Sequence, residues 1–262
     1  MNIEIYPVPA FNDNYIWIIR QGDNAIAVDP GQAEPVIQDL TSRGLNLKAI
    51  LITHHHNDHT GGVRDLLEIY DARVYGPAFE TRPIPALDDA LVEGDSIKIE
   101  GIDSEFQVLE VPGHTMGHIA YTATININQA VLFCGDTLFS CGCGRLFEGD
   151  SRLMLQSIDK FREMPQNTNI YCAHEYTLSN IDWALTVEPT NEALQDWRTR
   201  ALELRSQDLP TLPTTIAQEQ ATNPFMRVRE PAVIQAAESY VGAELKEAEA
   251  VFGALREWKN NA

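Results

Sequence analysis

Cysteine is scarce in this chain. Four residues in 262, Cys134, Cys141, Cys143 and Cys172, are too few for a disulfide framework. Long apolar runs are missing as well: nothing approaches the roughly 18 uninterrupted residues of a membrane span. The N-terminus shows no basic start followed by an apolar block and a cleavage site. A cytoplasmic protein is therefore expected, with no membrane association. Basic residues are outnumbered, 19 Lys and Arg against 38 Asp and Glu, for a formal charge of -19. That deficit excludes general affinity for nucleic acid or anionic lipid, which need basic surface. No Gly-x-Ser-x-Gly elbow occurs, so a serine hydrolase of that type is excluded too.

What is present is a 44% hydrophobic chain with ample material for a core. Short strand-like runs dominate up to about residue 175: Ile3 to Val8, Tyr15 to Arg20, Ala25 to Asp29, Lys48 to Thr53, Phe106 to Val111, Ala120 to Ile125, Ala130 to Cys134 and Asn169 to Cys172. Helical segments interrupt them at Glu34 to Arg43, closed by Gly44, and at Arg152 to Met164, stopped by Pro165. Beyond residue 175 the signals are helical: Leu178 to Val187, Asn191 to Arg205 with Asn191 as N-cap, and two segments after Pro231. The expected class is α+β, with residues 1–173 forming one domain and 174–262 a smaller helical one. No internal repeat appears.

The densest chemistry is Thr53-His54-His55-His56-Asn57-Asp58-His59, directly after the apolar run Ala49 to Ile52. Such a cluster at a strand's carboxyl end lies where open sheets place ligands. An i, i+2 spacing in extended backbone puts the His54 and His56 rings on one side. Asp58 and His59, beyond a bend, project toward a second point. Three more apolar strands end in a candidate ligand: Val111 leads to Pro112-Gly113-His114, Cys134 to Gly135-Asp136, and Ala173 to His174. An isolated His of this kind is more often structural; the set together reads as a binuclear metal site. It divides into His54, His56 and His114 for one ion and Asp58, His59 and His174 for the other, with Asp136 bridging. An imidazole and carboxylate set without thiolate suits first-row divalent ions, zinc first, with iron or manganese as alternatives.

These residues resemble the metallo-β-lactamase superfamily, whose His-x-His-x-Asp-His signature is here His54 to His59. The chain is further similar to the glyoxalase II family, the hydroxyacylglutathione hydrolases. The likeness lies in Asp13-Asn14-Tyr15, Gly142-Cys143-Gly144-Arg145, His174-Glu175-Tyr176-Thr177 and Asn223-Pro224-Phe225-Met226-Arg227. It covers nearly the whole chain. It implies a four-layer αβ/βα sandwich followed by a helical domain, and hydrolysis of S-D-lactoylglutathione and related 2-hydroxyacyl thioesters. It also implies that Arg145, Tyr176, Arg256 and Lys259 hold the glutathione moiety. At about 100° per residue, Arg256 and Lys259 fall on the same face of the last helix as Ala248, Phe252 and Leu255. The bland reading is that they complement the helix dipole; the resemblance favours contact with two substrate carboxylates. Eukaryotic relatives commonly carry Lys and Tyr where this chain has Arg145 and Phe147, and Phe147 cannot donate a hydrogen bond.

Two divalent ions roughly 3.5–4 Å apart can lower the pKa of a shared water enough to give hydroxide at neutral pH. The resemblance implies that such a hydroxide would attack the thioester with Asp58 orienting it, and a thiolate with pKa of about 8.5 would leave without a dedicated acid. His55 is expected to point away from the ions, His118 to support a ligand, and Asp29 to orient one; Cys141 and Cys143 are read as free thiols in a tight loop. Three alternatives stay open: a mononuclear iron dioxygenase acting on glutathione persulfide, a lactone or β-lactam hydrolase, and a non-catalytic metal-binding module. A monomer with a small-molecule substrate is expected.

Overall fold

Period-two alternation in the first strands splits their side chains between two cores, and that split dictates the architecture. In the computed structural model, which describes residues 1–262, β1 (Glu4–Ala10), β2 (Asn14–Gln21) and β3 (Asn24–Val28) run antiparallel. Of β2, Ile16 and Ile18 enter one apolar cluster while Tyr15, Trp17 and Ile19 enter the other. Both faces are therefore covered, as a strand with no polar alternate must be.

Helix α1 (Ala33–Arg43) covers the outer face with Val36 and Leu40, ending at Gly44 in the left-handed conformation (φ 65°). It leads to β4 (Asn46–Leu51), parallel to β3. Short helices α2 (Asn57–Thr60) and α3 (Val63–Leu67) follow, then β5 (Arg73–Pro77) and β6 (Asp89–Leu91), which extend the parallel part. The first sheet thus has the order β1-β2-β3-β4-β5-β6.

The second sheet is built from β7 (Ser96–Lys98), β8 (Glu105–Glu110), β9 (Ile119–Ile125) and β10 (Gln129–Gly135). After a two-stranded hairpin, β11 (Leu138–Phe139) and β12 (Gly142–Cys143), helix α4 (Ser151–Arg162) crosses over to β13 (Asn169–Cys172), parallel to β10. Asp150 caps α4 by accepting from the Leu153 N–H, and α4 packs Met154, Ile158 and Phe161 into the core. Helix, sheet, sheet and helix make four layers.

The helical part comprises α5 (Thr177–Val187), α6 (Glu192–Ser206), α7 (Ile216–Thr222), α8 (Pro231–Val241) and α9 (Ala248–Asn260). Asn191 caps α6 through the Leu194 N–H at 3.2 Å. Just before α7, β14 (Thr214–Thr215) pairs antiparallel with β13, so this part contributes an edge to the second sheet. One buried cluster of 53 residues continues from the sheets into these helices.

Several elements were not anticipated: β5, β6, β7, β11, β12, β14 and α7. Most are strands of two or three residues, too short to show a period. The run expected to continue as a strand to Thr53 ends as one at Leu51, with a last backbone bond from the Ile52 N–H to the Tyr75 carbonyl. His54 and His56 therefore converge from the loop beyond the strand, where His55 turns the other way.

Candidate metal centre

Asp29 organises the histidine loop. Its carboxylate accepts from the Thr53 N–H and from Thr53 Oγ1, both at 2.7 Å, and lies 3.0 Å from His59 Nδ1. Thr53 Oγ1 in turn sits 3.1 Å from His54 Nδ1, which leaves His54 Nε2 facing inward, 3.0 Å from His56 Nδ1. Helix α2 begins with His56 as its N-cap residue, and this turn brings Asp58 and His59 round to a second point.

The other three strand tips deliver their side chains to the same place. His114 Nε2 lies 3.0 Å from His56 Nδ1 and 3.4 Å from Asp136 Oδ2. Asp136 Oδ1 is 3.4 Å from His59 Nε2 and 3.3 Å from His174 Nε2. Asp58 Oδ2 is 3.4 Å from His59 Nε2 and 3.5 Å from His174 Nε2. Two glycines permit this closeness. A Cβ on Gly135 (φ 47°) would fall 2.3 Å from Thr53 Oγ1, and one on Gly144 would fall 2.0 Å from the Asp136 carbonyl oxygen.

Each inward ring is held from behind. His114 Nδ1 donates to the Arg145 carbonyl at 2.8 Å, and His174 Nδ1 lies 2.8 Å from Asp13 Oδ1. Asn14 donates to Asp58 Oδ2 at 3.2 Å. His118 stacks on His54 at 4.6 Å and accepts the Asp136 N–H on Nε2, so it supports the centre without entering it. His55 points away, toward Glu80. Asp13 and Asn14 had been noted only within a tripeptide. Their role comes from the β1–β2 turn being pinned to β13, where Tyr15 N–H donates to Ala173 and Glu175 N–H to Asp13.

The electrostatics separate the rings. Burial, reinforced by neighbouring imidazoles, pushes His54 well below its ordinary pKa and lowers His56. Burial likewise lowers His114. Burial would lower His59 and His174 too, but Asp136 overrides it for both, helped by Asp29 and Asp58 at His59 and by Asp13 at His174, and both are raised. Conversely, Asp58 and Asp136 stay ionised despite burial, Asp58 through His59 and Asp136 through His174 and His59. Neutral imidazoles and ionised carboxylates are the forms that bind a cation, and protons held at His59 and His174 are those an ion would displace.

The donor set passes a geometric test for divalent ions. Ligand atoms at about 2.0–2.2 Å in a tetrahedral shell stand roughly 3.3 Å apart, which matches the separations above. His59 Nε2 and Asp136 Oδ1 are buried with no hydrogen-bond partner, a costly state unless something positive lies between them. Three overlapping groups bring their ligand atoms within 4.8 Å of one another: His54, His56 and His114; His54, His59 and Asp136; Asp58, His59 and His174.

A cavity of about 420 Å³ opens on this centre, with His114 and Asp136 at one end and Arg145, Tyr176, Arg256 and Lys259 among its walls. The Tyr176 ring stacks on His174 at 4.7 Å. Arg256 is buried, donates to the Cys143 carbonyl at 3.0 Å and lies over the Phe225 ring. Lys259 hydrogen-bonds Asn180 Oδ1 and sits 5.0 Å from the Trp183 ring centre. Phe147, 62% exposed, leans on His56 and His114 with ring centres 5.6 and 5.3 Å away. Cys143 also lines the cavity, and all four cysteines are free and buried.

Fold and site together define a class. Residues 10–174 match the family model described as "Metallo-beta-lactamase superfamily". The BLEG-1 B3 metallo-beta-lactamase structure aligns at TM-score 0.61 and 26% identity, covering 86% of this chain and 99% of that one. A di-iron-bound form of TTHA1623 aligns at TM-score 0.57 and 25% identity, covering 84% and 99%. Residues 175–262 match "Hydroxyacylglutathione hydrolase C-terminus". The "Hydroxyacylglutathione hydrolase" of Nitrosomonas europaea is 48% identical over 99% of this chain and 96% of its own length. The chain belongs to the hydroxyacylglutathione hydrolase family of that superfamily.

Proposed function

We propose that this protein hydrolyses the thioester of S-D-lactoylglutathione and other S-(2-hydroxyacyl)glutathiones, releasing glutathione and a 2-hydroxy acid. The observation that carries this reading is a cavity whose walls hold His114 and Asp136, two of seven converging metal-ligand candidates, together with three basic side chains, Arg145, Arg256 and Lys259. His54, His56 and His114 would hold one divalent ion, Asp58, His59 and His174 the other, and Asp136 both. Zinc suits a nitrogen and oxygen set without thiolate, and a related scaffold accepts iron. When bound, such a pair supplies a water activated at neutral pH and positive charge for a developing oxyanion.

The protein's own groups do the rest. Asp58, steadied by Asn14, is the carboxylate placed to accept a hydrogen bond from the attacking water. Arg145, Arg256 and Lys259 receive the two glutathione carboxylates as charge-assisted partners, and Tyr176 offers its ring beside His174. A thiolate leaving group with ordinary pKa of about 8.5 needs no general acid. Residues 1–173 would act as the metal-bearing unit, and 174–262 would add Tyr176, Arg256 and Lys259. Buried free thiols accord with a reducing cytoplasm, and one chain supplies the residues that line the cavity, which accords with a monomer.

The test is steady-state hydrolysis of S-D-lactoylglutathione with elemental analysis of the same preparation. Two divalent ions per chain and turnover are expected, and Asp136→Asn should lose bound metal and at least about a hundredfold in kcat. Full metal loading without thioester hydrolysis, or oxygen uptake on glutathione persulfide in its place, overturns the proposal.

A further inference from the structure

A second, partly buried cluster adjoins the metal centre without belonging to it. His55, Glu80 and Glu148 bring ligand-type atoms within 4.8 Å of one another. Glu80 lies between β5 and β6, and its side chain is only 2% exposed. A buried carboxylate needs several donors, and Glu80 has them. Oε1 accepts from the His55 N–H at 3.2 Å and from Thr115 Oγ1 at 2.7 Å, and Oε2 lies 2.8 Å from His55 Nδ1. Glu148 accepts from Thr81 Oγ1 at 2.7 Å and from the Met116 N–H at 2.9 Å, and stands 3.7 Å from His55 Nε2. These acceptors are satisfied by protein donors, so nothing here calls for another ion.

The other residues of this cluster come from segments that each carry a proposed site residue. His55 sits between His54 and His56, Thr115 follows His114, and Glu148 follows Phe147 two residues after Arg145. Gly117 allows the contact: a Cβ there would fall 2.4 Å from the Glu80 backbone nitrogen. We infer that Glu80 is a positioning residue for the ion held by His54, His56 and His114, clamping the histidine loop to the His114 loop. Glu148 extends the clamp to the loop that bears Arg145 and Phe147. The inference rests on the metal reading proposed above.

The experiment uses the zinc-loaded full chain and measures zinc affinity by competition with a chromophoric chelator, beside KM and kcat for S-D-lactoylglutathione. Groups that orient ligands from behind typically contribute about 10–100-fold in metal affinity. Glu80→Ala is expected to weaken the more labile zinc by that factor. Glu80→Gln, whose amide oxygen still accepts and whose NH2 a rearranged His55 ring can accept, should stay within about threefold of wild type. Glu148→Gln should raise KM while leaving zinc affinity unchanged. Should Glu80→Ala fail to fold, Thr115→Val, which cuts the link to the His114 loop, must weaken zinc at least threefold. Wild-type zinc affinity in Glu80→Ala, or in Thr115→Val in that event, overturns the inference. Absence of zinc from the wild type overturns the metal reading itself, so the two failures are distinct. A merely stabilising clamp would lower the unfolding midpoint of the metal-free protein and leave chelator competition untouched.

Discussion

Lys259 shows how one residue can be poised by its surroundings. Its ammonium lies over Trp183 beside Asn180, with Arg256, Cys143 and Cys141 the ionisable groups around it. Burial first, then the Arg256 guanidinium, push its pKa down from 10.5 to about 7. Below pH 7 the group is charged in folded and unfolded chains alike, and its burial opposes folding in full. Between about 7 and 10.5 the unfolded chain binds more protons, so that opposition fades as pH rises. For binding the direction reverses: an incoming carboxylate favours the ammonium, so the affinity for an anionic substrate falls as pH rises through 7. KM for S-D-lactoylglutathione at constant ionic strength should increase above pH 7, by at most about tenfold per unit. Lys259→Arg, which stays charged, should flatten the profile. An unchanged slope in that variant would remove Lys259 from the binding of the substrate.

At the scale of elements, a short helix governs a short hairpin. Glu219 of α7 is fully buried. It accepts from the Cys141 N–H at 2.7 Å, from Thr214 Oγ1 at 2.6 Å and from Asn223 Nδ2 at 2.9 Å, while Asn223 also bonds the Phe139 and Gly142 carbonyls. Through these bonds α7 fixes β11 and β12, the hairpin that presents Cys143, Gly144 and Arg145 to the cavity. Glu219→Ala strands three buried donors at about 1–3 kcal/mol each, offset by partial relaxation. A net loss of about 3 kcal/mol in urea unfolding is expected, with Glu219→Gln recovering much of it; a change under about 1 kcal/mol would refute the account.

None of that network could be read along the chain, because its partners are separated by up to 84 residues. Helices with chemical punctuation were legible: Gly44 closes α1, Asn191 caps α6, and Pro165 stands just beyond α4. The four apolar strands that end in ligand candidates were legible for the same local reason, and the structure brings His54, His56, Asp58, His59, His114, Asp136 and His174 together. His54 and His56 meet and His55 turns away as an i, i+2 spacing in extended backbone implies, but they do so in the loop beyond β4, which ends at Leu51, and Asp29 shapes that loop from another strand's end. Glu80 and Glu148 escaped notice because their segments are polar and irregular, and a carboxylate's donors are visible only in three dimensions.

The whole molecule sets its net charge of -19 against a cavity that must admit an anion. Elsewhere several cations are held in ion pairs, such as Arg73 with Asp89, Arg198 with Asp182, Arg227 with Glu188 and Arg229 with Asp159. Arg145, Arg256 and Lys259 instead line the cavity, where Asp136 is the acid among its walls. The two effects act over different distances. At 0.15 M ionic strength screening cuts off interactions beyond about 8 Å, so an approaching glutathione thioester feels chiefly the nearby cations. At 0.01 M the range grows to about 30 Å, and the acidic body as a whole repels the substrate before the cavity can attract it. Lowering ionic strength from 0.15 to 0.01 M should therefore reduce kcat/KM several-fold, mainly through the association step. Stopped-flow binding of a non-hydrolysable glutathione thioether reads that step directly. An association rate that rises at low salt would show that the three cations dominate the field even at long range.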